Sequence, residues 1–141
     1  MDNIEIKKFA NSVRKNILFG AYSAGSHSAH IGGAMSVVDI LSAVYCLANF
    51  DSSLVGKPSR DRIILSKGHA CLALYGCLIE KGVIKRSDLK NFETSKSYLF
   101  GHPVMNKKKG IEFSTGSLGM GLSLGVGVAI AAKINNQNYK T

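Results

Sequence analysis

DRIILSKGHACLALYG, residues 61–76, reads as strand, turn and helix in one stretch. Ile63, Ile64 and Leu65 form a short β-branched-rich run, the composition of a buried strand. Cys71, Leu72, Tyr75, Leu78 and Ile79 then repeat at helical spacing, and Gly82 supplies a stop. Between the two lies Ser66-Lys67-Gly68-His69. Free N–H groups at a helix start favour a phosphate, and Lys67 adds positive charge. Ordinary capping by Ser66 accounts for the same residues without a ligand.

Working outward, residues 4–22 carry Ile6, Phe9, Val13 and Ile17 on one face of an amphipathic helix. SAGSHSAHIGGAMS, residues 23–36, is small and polar and reads as a loop. A second helix is predicted from Ser36, with Ser36 and Asp39 at capping-box spacing and Val37, Leu41, Val44 and Ala48 on its apolar face. Ser87 is positioned to cap a short helix running through Glu93. Residues 94–110 form a polar loop in which Pro103 holds His102 extended. EFSTGS, residues 112–117, reads as a second short strand, and Leu118–Lys133 as a helix. Gly121, Gly125 and Ala129 are spaced four apart in that helix, a stripe that lets another backbone approach. The chain shows no repeat, low-complexity region or domain linker.

The 141 residues fit one domain or part of a larger one, and 45% hydrophobic with 19% charged residues is a globular composition. The net charge of +9 favours anionic partners, although the basic residues are scattered in the manner of solvated faces. Charge alone would suit a nucleic-acid binder, but no recognised binding motif accompanies it and aromatics are few. Cys46, Cys71 and Cys77 are odd in number, lie in apolar runs and include no CxxC, which suits free thiols in a reducing cytosol rather than a disulfide framework or a zinc site. The longest uncharged run, 113–132, has nine Gly, Ser or Thr in 20 residues and is too weakly apolar for a membrane span. The charged, amphipathic N-terminus shows no secretory signal.

Three of the four histidines sit beside glycine: His30 in AHIGG, His69 in SKGHA and His102 in FGHPV. Histidine is readily poised for proton transfer near neutral pH, and an adjacent glycine lets a ligand come close to the backbone. STGSLGMGLSLG, residues 114–125, is a second glycine-rich junction. It lacks both the dinucleotide GxGxxG and the P-loop Lys-Ser/Thr, so its exposed backbone suits either a tight turn or a flat heterocycle. No HxxxH pair, Ser-His-Asp set or carboxylate pair stands out, and no metal ligand is assigned.

HIGGAMSVVDIL (30–41), DRIILSKGHACLALYG (61–76), the GHP at 101–103 and STGSLGMGLSLGVGVAIAAK (114–133) together resemble the N-terminal region of the transketolase family in order and spacing. Each string alone is weak, whereas the combination spans almost the whole chain. The resemblance implies an α/β fold of the thiamin-diphosphate-binding type, helix-rich here with few short parallel strands. It makes residues 1–141 the first part of the diphosphate-binding domain, ending before the metal motif. It implies thiamin diphosphate and magnesium as cofactors and transfer of a two-carbon ketol unit from a ketose phosphate to an aldose phosphate in the cytoplasm. Sugar phosphates are then the substrates, and a homodimer or a complementary C-terminal transketolase subunit completes the site, with no nucleic-acid or membrane partner. Carried over by position, His30 and His102 are catalytic residues facing the substrate, and His69 reaches the cofactor diphosphate. Gly116, Ser117 and Leu118 lie along the aminopyrimidine.

Three departures accompany the resemblance. Ile31 stands where the family often has proline, the loop at Ser26 and His27 is longer than usual, and Gly119-Met120-Gly121 replaces the common GQG. The family's GDG motif and a downstream Asn, which hold magnesium, are expected beyond Thr141. The chain alone is therefore expected to bind cofactor poorly and to be catalytically incomplete. The contrasting reading is a truncated, non-catalytic transketolase-like remnant or interaction subunit. A deoxyxylulose-phosphate synthase is a further relative, but SKGHA followed by GHP favours transketolase.

Overall fold

A computed structural model describes residues 2–27 and 29–141; Ser28, in the loop expected over 23–36, lies outside the described residues. Helix α1 spans Asn3–Ser23, α2 Ile31–Met35, α3 Val38–Leu47, α4 Cys71–Glu80 and α5 Met120–Ile134. Short 3-10 turns occur at Ser52–Leu54, Gly68–Ala70, Arg86–Asn91 and Lys107–Lys109.

The centre of the molecule is α4. A helix apolar on every side has to be enclosed, and Cys71 through Leu78 are all buried. α1 and α3 pack along it, and the 3-10 turn at Arg86–Asn91 closes over α1. α1 contributes Ala10, Val13, Asn16, Ile17 and Gly20. Gly76 permits the close α1–α4 approach: a Cβ there would lie 3.0 Å from Val13 Cγ1 and 3.3 Å from the Val13 carbonyl oxygen. Buried Asn16 donates its amide to Glu80 at 2.8 Å, tying the same two helices through a satisfied polar contact.

A one-turn helix, α2, interrupts the loop expected over 23–36 and moves the start of α3 to Val38. The anticipated Ser36–Asp39 capping box does not form, because both side chains are taken elsewhere. The Ser36 hydroxyl donates to the Gly33 carbonyl at 2.9 Å and accepts from Lys67 Nζ at 2.8 Å. Asp39 pairs with Arg14 of α1 at 2.7 Å. The buried face of α3 is accordingly Val38, Leu41, Ser42 and Tyr45, leaving Val44 exposed. Lys85, rather than Ser87, precedes the 3-10 turn that ends at Asn91, two residues short of the expected helix end.

Neither Ile63–Leu65 nor 112–117 is in a β ladder; the β pairing among the described residues is an isolated antiparallel bridge between Asn106 and Ile111. Strand propensity needs a neighbouring strand to act on. Here the segment is held by single bonds to residues distant in sequence instead: Arg62 N–H donates to the Lys140 carbonyl at 2.8 Å, and the Thr115 hydroxyl donates to the Leu65 carbonyl at 2.8 Å. The helix-rich character expected of the fragment is thus pronounced.

Beneath this segment lies a buried ion pair, Arg60–Glu112. Arg60 also donates to the Asp61 carbonyl at 3.0 Å and stacks 5.4 Å from the Phe50 ring centroid. Cys71 and Cys77 are buried free thiols and Cys46 is half-buried. Among the described residues no helix is long and apolar enough to cross a membrane.

α5 lies to one side. Only Gly121 and Ala132 of this helix are buried. Leu122, Val126, Ile130 and Ile134 are 73%, 52%, 54% and 73% exposed, an apolar stripe at four-residue spacing.

Candidate functional site

Four junctions converge at one end of α4. The His30–Ser36 segment contributes α2, the Ser66–Ala70 turn leads into α4, residues 99–103 lie within the 94–110 connection, and 114–119 leads into α5. Sequence separates these segments by tens of residues, and short polar contacts bring them together.

Thr115 is the hub. Its hydroxyl donates to the Leu65 carbonyl, and its N–H donates to the Pro103 carbonyl at 3.2 Å. Gly68 packs directly on it: a Cβ at Gly68 would fall 2.6 Å from the Thr115 carbonyl oxygen, closer than any side chain permits. Ser66 makes the next link by accepting from the Gly121 N–H at 3.1 Å. Gly121 is the first residue of the small-residue stripe, and a Cβ there would lie 2.5 Å from Ser66 Cα. The stripe therefore does receive a backbone at Gly121. Lys67 closes the circuit to α2 through Ser36.

These contacts gather His30, His69 and His102. The His30 ring lies 5.6 Å from that of His69 and 5.9 Å from that of His102, both edge to face. His30 and His102 are exposed and His69 is half-buried. Gly33 makes room for His69, since a Cβ at that position would sit 2.8 Å from His69 Cδ2. Burial lowers the pKa of His69 below its ordinary value, and the neighbouring Lys67, His30 and His102 lower it further. Its imidazole is neutral near pH 7 and presents one N–H donor.

Gly116, Ser117 and Leu118 border the cluster, with the site of a Gly116 Cβ 3.6 Å from His102 Cδ2. All three are exposed. Among the described residues their N–H groups donate to no protein acceptor. Gly119 follows in the left-handed region, φ 88°, and turns the chain into α5. His27, in the loop expected to differ, is exposed and outside this cluster. Among the described residues no group of three or more His, Cys, Asp or Glu is arranged to hold a metal ion.

The histidines and the 116–118 segment were expected at the site, whereas Ser36 and Ser66 were expected only as helix caps and Thr115 was assigned no role. Thr115 and Ser66 did stand at the two glycine-rich junctions, and that was their one local signal; nothing local marked Ser36 as a partner of Lys67.

The arrangement offers an imidazole and an ammonium group for an anion, a run of exposed amides at 116–118, and two accessible imidazoles for proton transfer. Comparison with known proteins matches this architecture. The profile described as "Transketolase, thiamine diphosphate binding domain" matches residues 7–141. The chain is 40% identical over 138 residues to one subunit of an apulose-4-phosphate transketolase from Actinobacillus succinogenes, covering 96% of this chain and 49% of that protein. It is 37% identical to a 6-deoxy-6-sulfo-D-fructose transketolase subunit of a Clostridium species, covering 94% and 48% of the respective chains. The chain thus spans about half the length of these curated relatives. The transketolase of Pichia stipitis in complex with sedoheptulose 7-phosphate superposes with a TM-score of 0.79 at 32% identity, covering 89% of this chain and 18% of that one. The chain belongs to the transketolase family and corresponds over residues 7–141 to its thiamine diphosphate binding domain.

Proposed function

We propose that this chain forms the diphosphate-binding part of a thiamin-diphosphate-dependent transketolase site and acts within a larger assembly. The reaction is transfer of a two-carbon ketol unit from a ketose phosphate to an aldose phosphate in the cytoplasm, as in pentose phosphate metabolism. The observation that carries the reading is the convergence of His30, His69 and His102 beside the exposed amides of 116–118.

Thiamin diphosphate joins an anionic diphosphate to flat heterocycles, and the residues present suit both ends. His69 would donate its imidazole N–H to a diphosphate oxygen, with Lys67 supplying charge alongside. Gly116, Ser117 and Leu118 would lie along the aminopyrimidine, just before the left-handed turn at Gly119. When bound, the cofactor supplies the carbanion-stabilising chemistry that side chains lack. The protein's part is orientation and proton movement. His30 and His102 would hydrogen-bond the substrate's carbonyl and hydroxyl oxygens and shuttle protons between them and solvent.

Magnesium would be held by residues outside 1–141. The exposed apolar stripe of α5 favours further polypeptide against this domain, either a complementary C-terminal subunit or a second copy. The subunit designations of the relatives point the same way. The test is calorimetric titration of thiamin diphosphate with magnesium into the chain paired with a complementary C-terminal subunit. Saturable binding that weakens at least about tenfold in His69→Ala supports the reading; absence of binding in the unmodified assembly rejects it.

A further inference from the structure

We propose that Glu93 is a positioning residue for His102, fixing the backbone that presents this imidazole to the substrate. Glu93 follows the 3-10 turn Arg86–Asn91 and adopts φ 60°, a left-handed conformation disfavoured for a side chain of this size. That conformation turns both its polar groups toward the 99–103 loop. Its N–H donates to the Leu99 carbonyl at 3.1 Å, and its carboxylate accepts from the Gly101 N–H, next to His102. A Cβ on Gly101 would overlap that carboxylate oxygen, so a side chain at 101 would push the Glu93 carboxylate off the Gly101 N–H.

Other groups hold the remaining peptides. The Cys71 thiol donates to the Gly101 carbonyl at 3.1 Å, the Tyr75 phenol donates to the Phe100 carbonyl at 2.8 Å, and the Pro103 carbonyl accepts from Thr115. Burial pushes the Cys71 thiol up to about 12, with the Glu93 charge adding to the rise, so both Cys71 and the likewise raised Tyr75 stay protonated donors at neutral pH. The backbone is therefore anchored on both sides of His102, whose side chain remains exposed. Glu93 supplies the ionic acceptor in this set, the strongest class of hydrogen bond available to a peptide N–H.

The catalytic part of this inference rests on the reading of His102 as a substrate-facing group, so its test has two arms. In the full chain, Glu93→Ala should speed amide exchange at Gly101 by about tenfold to a hundredfold and shift the His102 imidazole resonances. Glu93→Gln, which keeps a carbonyl acceptor, should restore most of both. In the assembly with a complementary subunit, thiamin diphosphate and magnesium, kcat/KM for a ketose phosphate should fall at least about tenfold in the alanine variant and recover in the glutamine variant. Should Glu93→Ala fold poorly, Gly101→Ala gives a second route, since its methyl meets the Glu93 carboxylate. Gly101→Ala alone should shift the His102 resonances as Glu93→Ala does, and where both variants fold the Glu93→Ala/Gly101→Ala pair should be no worse than Glu93→Ala alone. Unchanged Gly101 exchange and His102 resonances, failure of glutamine to rescue, or additive losses in the pair would overturn the proposal. If the unmodified assembly transfers no ketol unit, the catalytic role falls, and the exchange arm still decides the anchoring.

Discussion

His69 faces His30 edge to face, with ring centroids 5.6 Å apart at an interplanar angle of 75°. The pair joins two segments distant in sequence, the start of α2 and the turn into α4, and places a neutral imidazole beside an exposed one.

Lys67→Met should raise the His69 pKa toward its ordinary 6.5, because the ammonium is the second contributor to its lowering after burial. A histidine whose folded pKa lies below the unfolded value favours the fold when unprotonated, so its contribution is fully present above about 6.5 and is lost as pH falls through that value toward the folded pKa. Lys67→Met should reduce this acid sensitivity. Binding of thiamin diphosphate should raise the same pKa by placing negative charge there. NMR titration of the imidazole resonances measures both shifts.

Gly68→Ala should destabilise the fold by about 1–3 kcal/mol, because a methyl meets the Thr115 carbonyl oxygen, a backbone atom that cannot rotate away. Gly32→Ala is the matched control. A Cβ at Gly32 meets nothing within 4 Å, so stability should stay within about 0.5 kcal/mol. Equal losses at both positions in denaturant unfolding would contradict the packing assigned to Thr115.

Breaking the buried Arg60–Glu112 pair should cost about 3–5 kcal/mol in either Arg60→Met or Glu112→Leu, since each leaves a charge without its partner. Replacing both together should cost much less than the sum. A double-mutant cycle by urea unfolding measures the coupling, and strict additivity would mean that the pair is not formed.

The parts of the site that were legible in the sequence carry their meaning locally. His30, His69 and His102 were marked by adjacent glycines, and the 116–118 segment by its glycine-rich surroundings. α4 was legible because an apolar run of that density has to be enclosed. The misread features depend on distant partners. Ser36 and Asp39 have the spacing of a cap, yet Lys67 and Arg14 claim their side chains. Ile63–Leu65 has strand composition, but composition names no neighbouring strand, and Thr115 takes the Leu65 carbonyl. Glu93 carried no sequence signal, since its importance comes from a left-handed backbone and a glycine eight residues away.

The most direct measurement is ketol transfer by this chain combined with a complementary C-terminal transketolase subunit, thiamin diphosphate and magnesium, assayed with a ketose phosphate donor and an aldose phosphate acceptor. The unmodified assembly should turn over, and His30→Ala or His102→Ala should lower kcat/KM by about 10²- to 10⁴-fold while leaving the thermal midpoint unchanged. Robust cofactor binding with no transfer, or full activity in both histidine variants, would contradict the assignment of this cluster as the proton-handling part of a transketolase site.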